Sequence, residues 1–332
     1  MDIFPAQYST LSAAALKTFI EKVYGFELIT CRLLVRNVSD TYILESPETK
    51  FIFKIYRTHY RSFDEIKGEV ELLNLLKANG APVSYPIPDL NGAQVQLFNA
   101  AEGTRHGVLF SFAIGKVVPD PDEQQLKMIG KNIALMHNIT SGCILPFERI
   151  VYNTETTLNR PLQIIKHRFA DLPDEYNDLC DLAKKVIHKL NQFETSGFSV
   201  GYCHYDLLSK NFHFDEANHI TFFDFDWMGN GYLANDLMTF RVQLFFLAHL
   251  NMITQEEADE RFMVFVDAYR DQRPFSKQEQ EAIPYLGIMF WIFAFGFYED
   301  NFDDFSNTFL GPRFIKDRVA LIKKWAGWYC DF

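Results

Sequence analysis

Asp206 stands five residues before Asn211, and Asp224 follows thirteen residues later at the end of the apolar run Ile220-Thr221-Phe222-Phe223. A carboxylate, an amide and a second carboxylate at this spacing have the chemistry of phosphoryl transfer. One Asp takes the proton of an attacking hydroxyl, while the Asn and the later Asp hold magnesium ions that bridge nucleotide phosphates. Asn211-Phe212-His213-Phe214 and the run before Asp224 flank the polar stretch Asp215-Glu216-Ala217-Asn218, a pattern that predicts a β-hairpin. A hairpin brings its ends together, so Asn211 and Asp224 come side by side and can share a metal. Alone, either aspartate would read as a turn cap or a strand end; the spaced set of three asks for more.

His204-Tyr205-Asp206 with Asn211, and Asp224-Phe225-Asp226, match the His-Gly-Asp-(four residues)-Asn and Asp-(aromatic)-Asp/Glu motifs of the aminoglycoside phosphotransferase family. The sequence resembles that family, which includes choline kinases, the second type of homoserine kinase and bacterial stress-response Ser/Thr kinases. Tyr205 departs from the common Gly. The resemblance implies an ATP- and Mg2+-dependent phosphotransferase acting on a hydroxyl group of a small molecule, such as an aminoglycoside, an amino alcohol or a homoserine-like compound. It makes Asp206 the base or hydroxyl-orienting group, Asn211 and Asp224 the metal ligands, and Asp226 a helper of the second metal or of the substrate. The implied fold is α+β and protein-kinase-like. A small N-terminal antiparallel β-sheet lobe with one key helix spans 1–115, and a larger, mostly helical C-terminal lobe spans 116–332.

Such a first lobe must supply a lysine on a strand and a glutamate on the next helix. Phe51-Ile52-Phe53-Lys54-Ile55-Tyr56-Arg57 is strand-like, with Lys54 among apolar neighbours, as a lysine reaching the α- and β-phosphates should be. Residues 61–79 read as a helix, with Ile66, Val70, Leu73 and Leu76 at helical spacing and Gly80 as the stop. Glu65, Glu69 and Glu71 could each pair with Lys54. The family pattern places the acid four residues before one Leu and seven before another, which selects Glu69 and leaves the other two as exposed charges. Val38, Ser39 and Asp40 occupy the place of a phosphate-covering loop and are assigned to nucleotide contact. They lack a glycine fingerprint but offer N–H and hydroxyl donors, and a plain hairpin loop is the alternative. An opening helix over 12–24 and strands near 28–35, 41–45, 50–57, 93–99 and 106–113 complete this lobe. The last strand ends in Ser111, Phe112 and Ala113, where kinase folds place the adenine-binding hinge.

The prolines of Val117-Val118-Pro119-Asp120-Pro121-Asp122 mark the lobe boundary. Helices follow near 158–170, 175–193, 233–250, 255–269, 277–298 and 311–328. His137 reads as a satisfied helix-end histidine and His204 as a loop-shaping residue. Asp236 is expected either to brace the catalytic loop by accepting N–H groups around His204 and Tyr205, or to cap a helix. The acceptor region implied by the resemblance holds Tyr205, Trp227 and the run from Tyr298 through Glu299 and Asp300 to Asp304. Carboxylates beside aromatic rings suit a cationic acceptor, the alternative being that they only solubilise the end of an apolar helix.

The chain of 332 residues, 48% hydrophobic, is long enough for two cores. A net charge of −11 without clustered Lys and Arg excludes a nucleic-acid partner. Five cysteines without paired spacing point to a reducing compartment, and an N-terminus without a basic region before an apolar core is no secretory signal, so the expected location is cytoplasmic. Residues 282–298 carry no formal charge, yet Pro284, Gly287 and Gly296 interrupt them. A buried helix, with no membrane partner, is expected there. Oligomeric state is unspecified. A stress-response-type protein kinase and a non-catalytic nucleotide-binding protein are the alternatives; the interval from Asp226 to Asp236 is too short for a peptide-docking segment, and the core Lys, Asp and Asn are all present.

Overall fold

The computed structural model describes residues 4–302 and 309–332. The chain divides into two compact units; the first runs to Gly115 and takes in Leu145–Glu148 and Thr221–Phe223, and the second holds the rest.

The first unit opens with α1 (Ala13–Tyr24). Ser12 caps its start and Gly25, at φ 73°, ends it in the left-handed conformation. Next come β1 (Thr30–Arg36), β2 (Ser39–Glu45), β3 (Lys50–Tyr56), α2 (Phe63–Ala78), β4 (Val95–Ala100) and β5 (Gly103–Ser111). The strands form one antiparallel sheet in the order β1-β2-β3-β5-β4. Leu16, Ile20 and Tyr24, four residues apart on α1, pack with Tyr42, Leu44, Phe53, Ile55 and Leu109 of the sheet. Strand alternation then places Lys54 and Tyr56 together on the other face of β3. Wholly buried Arg105 ties the unit together: its Nη1 lies 2.9 Å from Asp40, and it donates to the carbonyls of Ser9, Ile55 and Tyr56.

The second unit begins with α3 (Glu123–Thr140), capped reciprocally by Asp122 and Gln125. Instead of one helix over 158–170, a π turn (Glu155–Asn159), the short α4 (Arg160–Ile165) and a 3-10 turn (Lys166–Phe169) follow in succession. Pro161, which has no N–H, sits in the first turn of α4, the place a helix tolerates it. In chain order then come α5 (Pro173–Leu190), β6 (Val200–Cys203), the expected hairpin of β7 (Phe212–Phe214) and β8 (Ile220–Phe222), whose Thr221 and Phe222 are counted with the first unit, and β9 (Gly229–Tyr232). Strands β6 and β9, which pair with each other, were not among the strands expected from the sequence. Gly229 is there for close approach, because a Cβ would meet the side chain and carbonyl of Ile150 at 2.6 Å.

Helices α6 (Ala234–His249), α7 (Gln255–Arg270), α8 (Lys277–Asn301) and α9 (Pro312–Tyr329) complete the unit. Among the described residues, α8 is the one helix long and apolar enough to cross a membrane, and 83% of its most apolar window is buried inside the protein. It packs against α4, α5, α6 and α9 as a core helix does.

Candidate active site

Past β6, the loop that carries Asp206 is held along one face of α6. Asp236, Thr239 and Gln243 recur at three- and four-residue spacing and so project together. Asp236 accepts the N–H groups of His204 (2.9 Å) and Tyr205 (2.7 Å), Thr239 Oγ1 that of Leu207 (3.2 Å) and Gln243 Oε1 that of Ser209 (3.3 Å). Asp236 also meets His137 Nε2 at 3.0 Å, and His137 Nδ1 lies 2.9 Å from the Tyr269 hydroxyl. A neutral His137 satisfies both partners by donating to the carboxylate from Nε2 and accepting at Nδ1. Burial raises the Asp236 pKa, but His137, His204 and the Tyr205 N–H outweigh it and hold the carboxyl below its ordinary value.

On this brace sits Asp206, itself buried. Its Oδ2 receives Asn211 Nδ2 at 2.8 Å and lies 2.7 Å from Lys210 Nζ. Asn211 Nδ2 also donates to the Asp206 carbonyl at 2.8 Å. Since a carboxylate only accepts, the amide must turn its NH2 to Asp206, which leaves Asn211 Oδ1 for a cation. Asp206 Oδ1 receives no hydrogen bond among the described residues. Burial pushes the Asp206 pKa up, Lys210 and His204 oppose this, and Asp224 adds to the rise. The Lys210 ammonium is lowered by burial but raised more by Asp206 and Asp224.

Asp224 follows β8 with φ 62° and ψ 60°, a left-handed conformation that Asp tolerates better than most residues. It is exposed, whereas Asp226 is buried. Arg149 donates to the carbonyls of Asp226 (2.7 Å) and Met228 (3.1 Å), and the Tyr152 hydroxyl donates to that of Trp227. Asn211 Oδ1 and the Asp224 carboxylate are oxygen donors of the kind a hard divalent cation takes. No group of three or more His, Cys, Asp and Glu gathers among the described residues. Two such oxygens suit a cation such as Mg2+, which usually uses one or two carboxylates and completes its shell with phosphates and water.

In the first unit, Lys54 Nζ lies 5.2 Å from the centre of the Tyr56 ring, and the Tyr56 hydroxyl donates to Glu69 Oε2 at 3.0 Å. Tyr56 therefore serves both residues. Of the three glutamates on α2, Glu69 is buried, Glu71 is exposed, and Glu65 is engaged at the helix start with Ser62 and Arg61. Val38, Ser39 and Asp40 are all buried, the last two at the start of β2, and Asp40 faces Arg105 rather than an open loop. The N–H and C=O of Ser111 are both taken by the segment at 84–85.

The residues expected around the acceptor are engaged with neighbours of their own. Tyr205, at φ 63°, is 1% exposed and stacks on Tyr152 with ring centres 3.4 Å apart. In this conformation the ring belongs to the core. Trp227 packs edge-on against Phe297 (4.7 Å) and Phe293 (5.2 Å). Glu299 pairs with Arg168 (2.8 Å) and His167 (3.2 Å), and Asp300 with Arg160 (2.7 Å), so both carboxylates already have cationic partners. Asp303 and Asp304 lie outside the described residues.

The sequence profile of the phosphotransferase enzyme family matches residues 30–275. The chain belongs to that family. An uncharacterised protein of Deinococcus radiodurans is similar at 27% identity over 326 residues, 97% of this chain and 92% of the relative. The amicoumacin kinase of Bacillus subtilis is similar at 28% identity over 220 residues, 64% of this chain and 63% of the relative. The solved structure of amicoumacin kinase hAmiN in complex with AMP-PNP, Ca2+ and Ami has the same fold, with TM-score 0.75 and 20% identity over 96% of this chain and 92% of that one.

Three residues that contact the expected site residues had no role in the sequence reading. Lys210 lies four residues after Asp206, and a 3-10 turn over Ser209–Asn211 brings it back to the carboxylate. The signal for Tyr56 was its strand spacing of two from Lys54. Arg149 is distant in sequence from the carbonyls it holds and had no local signal.

Proposed function

We propose that this phosphotransferase moves the γ-phosphoryl group of ATP, with Mg2+, to a hydroxyl of a small molecule of the aminoglycoside, amino-alcohol or homoserine-like kind. The observation that carries the proposal is the Asp206 carboxylate, fixed through Oδ2 by Asn211 and Lys210 with Oδ1 left over. Oδ1 takes the acceptor's proton as the acceptor oxygen bonds to the γ-phosphorus. The bond from that phosphorus to the β,γ-bridging oxygen breaks, and ADP leaves with the electron pair. Bound Mg2+ would neutralise charge on the phosphate oxygens, and Asn211 Oδ1 and Asp224 would hold it. Lys54 serves the α- and β-phosphates, with Glu69 and Tyr56 fixing its stem. Likeness to an amicoumacin kinase supports an acceptor of this kind over a protein acceptor.

The test is acceptor-dependent ADP release. It should require a divalent cation and stop with EDTA, and Asp224→Ala should raise the Mg-nucleotide Kd. Release that persists in EDTA, or Asp224→Ala with parental Mg-nucleotide affinity, would remove Asp224 from the metal-binding role.

A further inference from the structure

Arg318, on α9, is half-buried, and its guanidinium meets two rings: Trp291 of α8 at 4.7 Å and Phe314 at 4.9 Å. No carboxylate pairs with it among the described residues. Four other arginines of this unit, Arg160, Arg168, Arg241 and Arg261, each sit against one. Trp291 is 2% exposed, and its indole N–H has no acceptor. Among the described residues, the guanidinium over the Trp291 ring has no carboxylate and the buried indole N–H has no acceptor. Leaving such groups unanswered is costly, whereas one planar anion could satisfy both, because guanidinium binds carboxylate through two parallel hydrogen bonds.

The pair also lies near the chemistry. Tyr298 stands two helical turns beyond Trp291 on α8, and its ring packs edge-on against Phe314 at 6.2 Å. The charges of Arg318, Lys210 and Asp206 all act on the Tyr298 hydroxyl. The carboxylates once suited to a cationic acceptor, Glu299 and Asp300, are countered by their own arginines. Among the described residues, the Arg318 guanidinium is the charge here without an ion-pair partner.

We propose that Arg318 and Trp291 Nε1 form an anion subsite for the acceptor, so that the hydroxyl compound phosphorylated at Asp206 carries a carboxylate. This inference rests on the phosphotransferase reading above and narrows its acceptor to hydroxy acids and hydroxy amino acids.

The experiment measures ADP release with acceptors offered in pairs that differ by a carboxylate: L-homoserine with 3-aminopropan-1-ol, L-serine with ethanolamine, and D-glycerate with ethylene glycol. The strongest acceptor should be a carboxylated one, at least about tenfold above its partner in kcat/KM. Arg318→Gln should bring that ratio close to one through KM, by about 10–100-fold. Arg318→Lys should recover part of it, and Trp291→Phe, which keeps a ring and loses the N–H, should raise KM several-fold. Turnover of the uncharged or cationic partner equal to that of the acid overturns the subsite and spares the phosphotransferase reading. So does a fall in kcat with unchanged KM in Arg318→Gln. Failure of every acceptor in the panel to raise ADP release overturns the subsite. If the parent protein also fails to bind Mg-ATP, the phosphotransferase reading falls with it.

Discussion

A buried carboxylate that accepts two consecutive N–H groups fixes the register of the loop that owns them, and Asp236 does this for His204 and Tyr205. Replacing it by Asn sets an NH2 group or a weaker acceptor against donors that cannot turn away, at about 1–3 kcal/mol. Because the folded pKa lies below the unfolded value of about 3.9, this stabilisation is complete above that pH and is lost as pH falls through the folded pKa. Urea unfolding of parent and Asp236→Asn should therefore show the widest gap near neutral pH and a closing gap below about pH 4. A gap independent of pH would mean that the aspartate acts by shape alone. At the same scale, Glu69→Gln should lower kcat/KM by up to about 100-fold through misplacement of Lys54, and Glu65→Gln should leave it near parental. The reverse order in steady-state kinetics would place the wrong glutamate beside Lys54. Glu69 was singled out among the three glutamates by the family spacing, and it is the buried one. The packing of Tyr205 was not legible, because its stacking partner Tyr152 lies far away in sequence.

Elements were easier to read than contacts. Periodicity located α1, α2 and α5 to α9 to within a few residues, since each has a capping residue or a regular apolar face. Strand β9 was not anticipated, since Gly229 is there to accommodate Ile150 and carries no strand signal. Helix α8 shows the same principle in its interior. A methyl group on Gly287 would overlap the Trp325 indole, which is held in place by its N–H donating to the Pro284 carbonyl at 2.8 Å. Gly287→Ala should cost about 1–3 kcal/mol through overpacking, despite the higher helix propensity of Ala. A thermal melt with unchanged or raised Tm would show that the indole can yield.

For the molecule as a whole, the α+β class, the antiparallel first unit and the helical second unit were all implied by motifs covering a small part of the chain, because those motifs need that scaffold to act. The acceptor was not legible in the same way. Its recognition depends on which charges are already paired, and Arg160, Arg168 and Arg318 do not reveal their partners in sequence. The account depends most on Asp206 as the group that takes the acceptor's proton. The most direct measurement is Asp206→Asn, with acceptor-dependent turnover and nucleotide Kd determined on the same preparation. Turnover should fall at least about 100-fold with the nucleotide Kd near the parental value; turnover within about tenfold of the parent, less than loss of a general base produces, would contradict it.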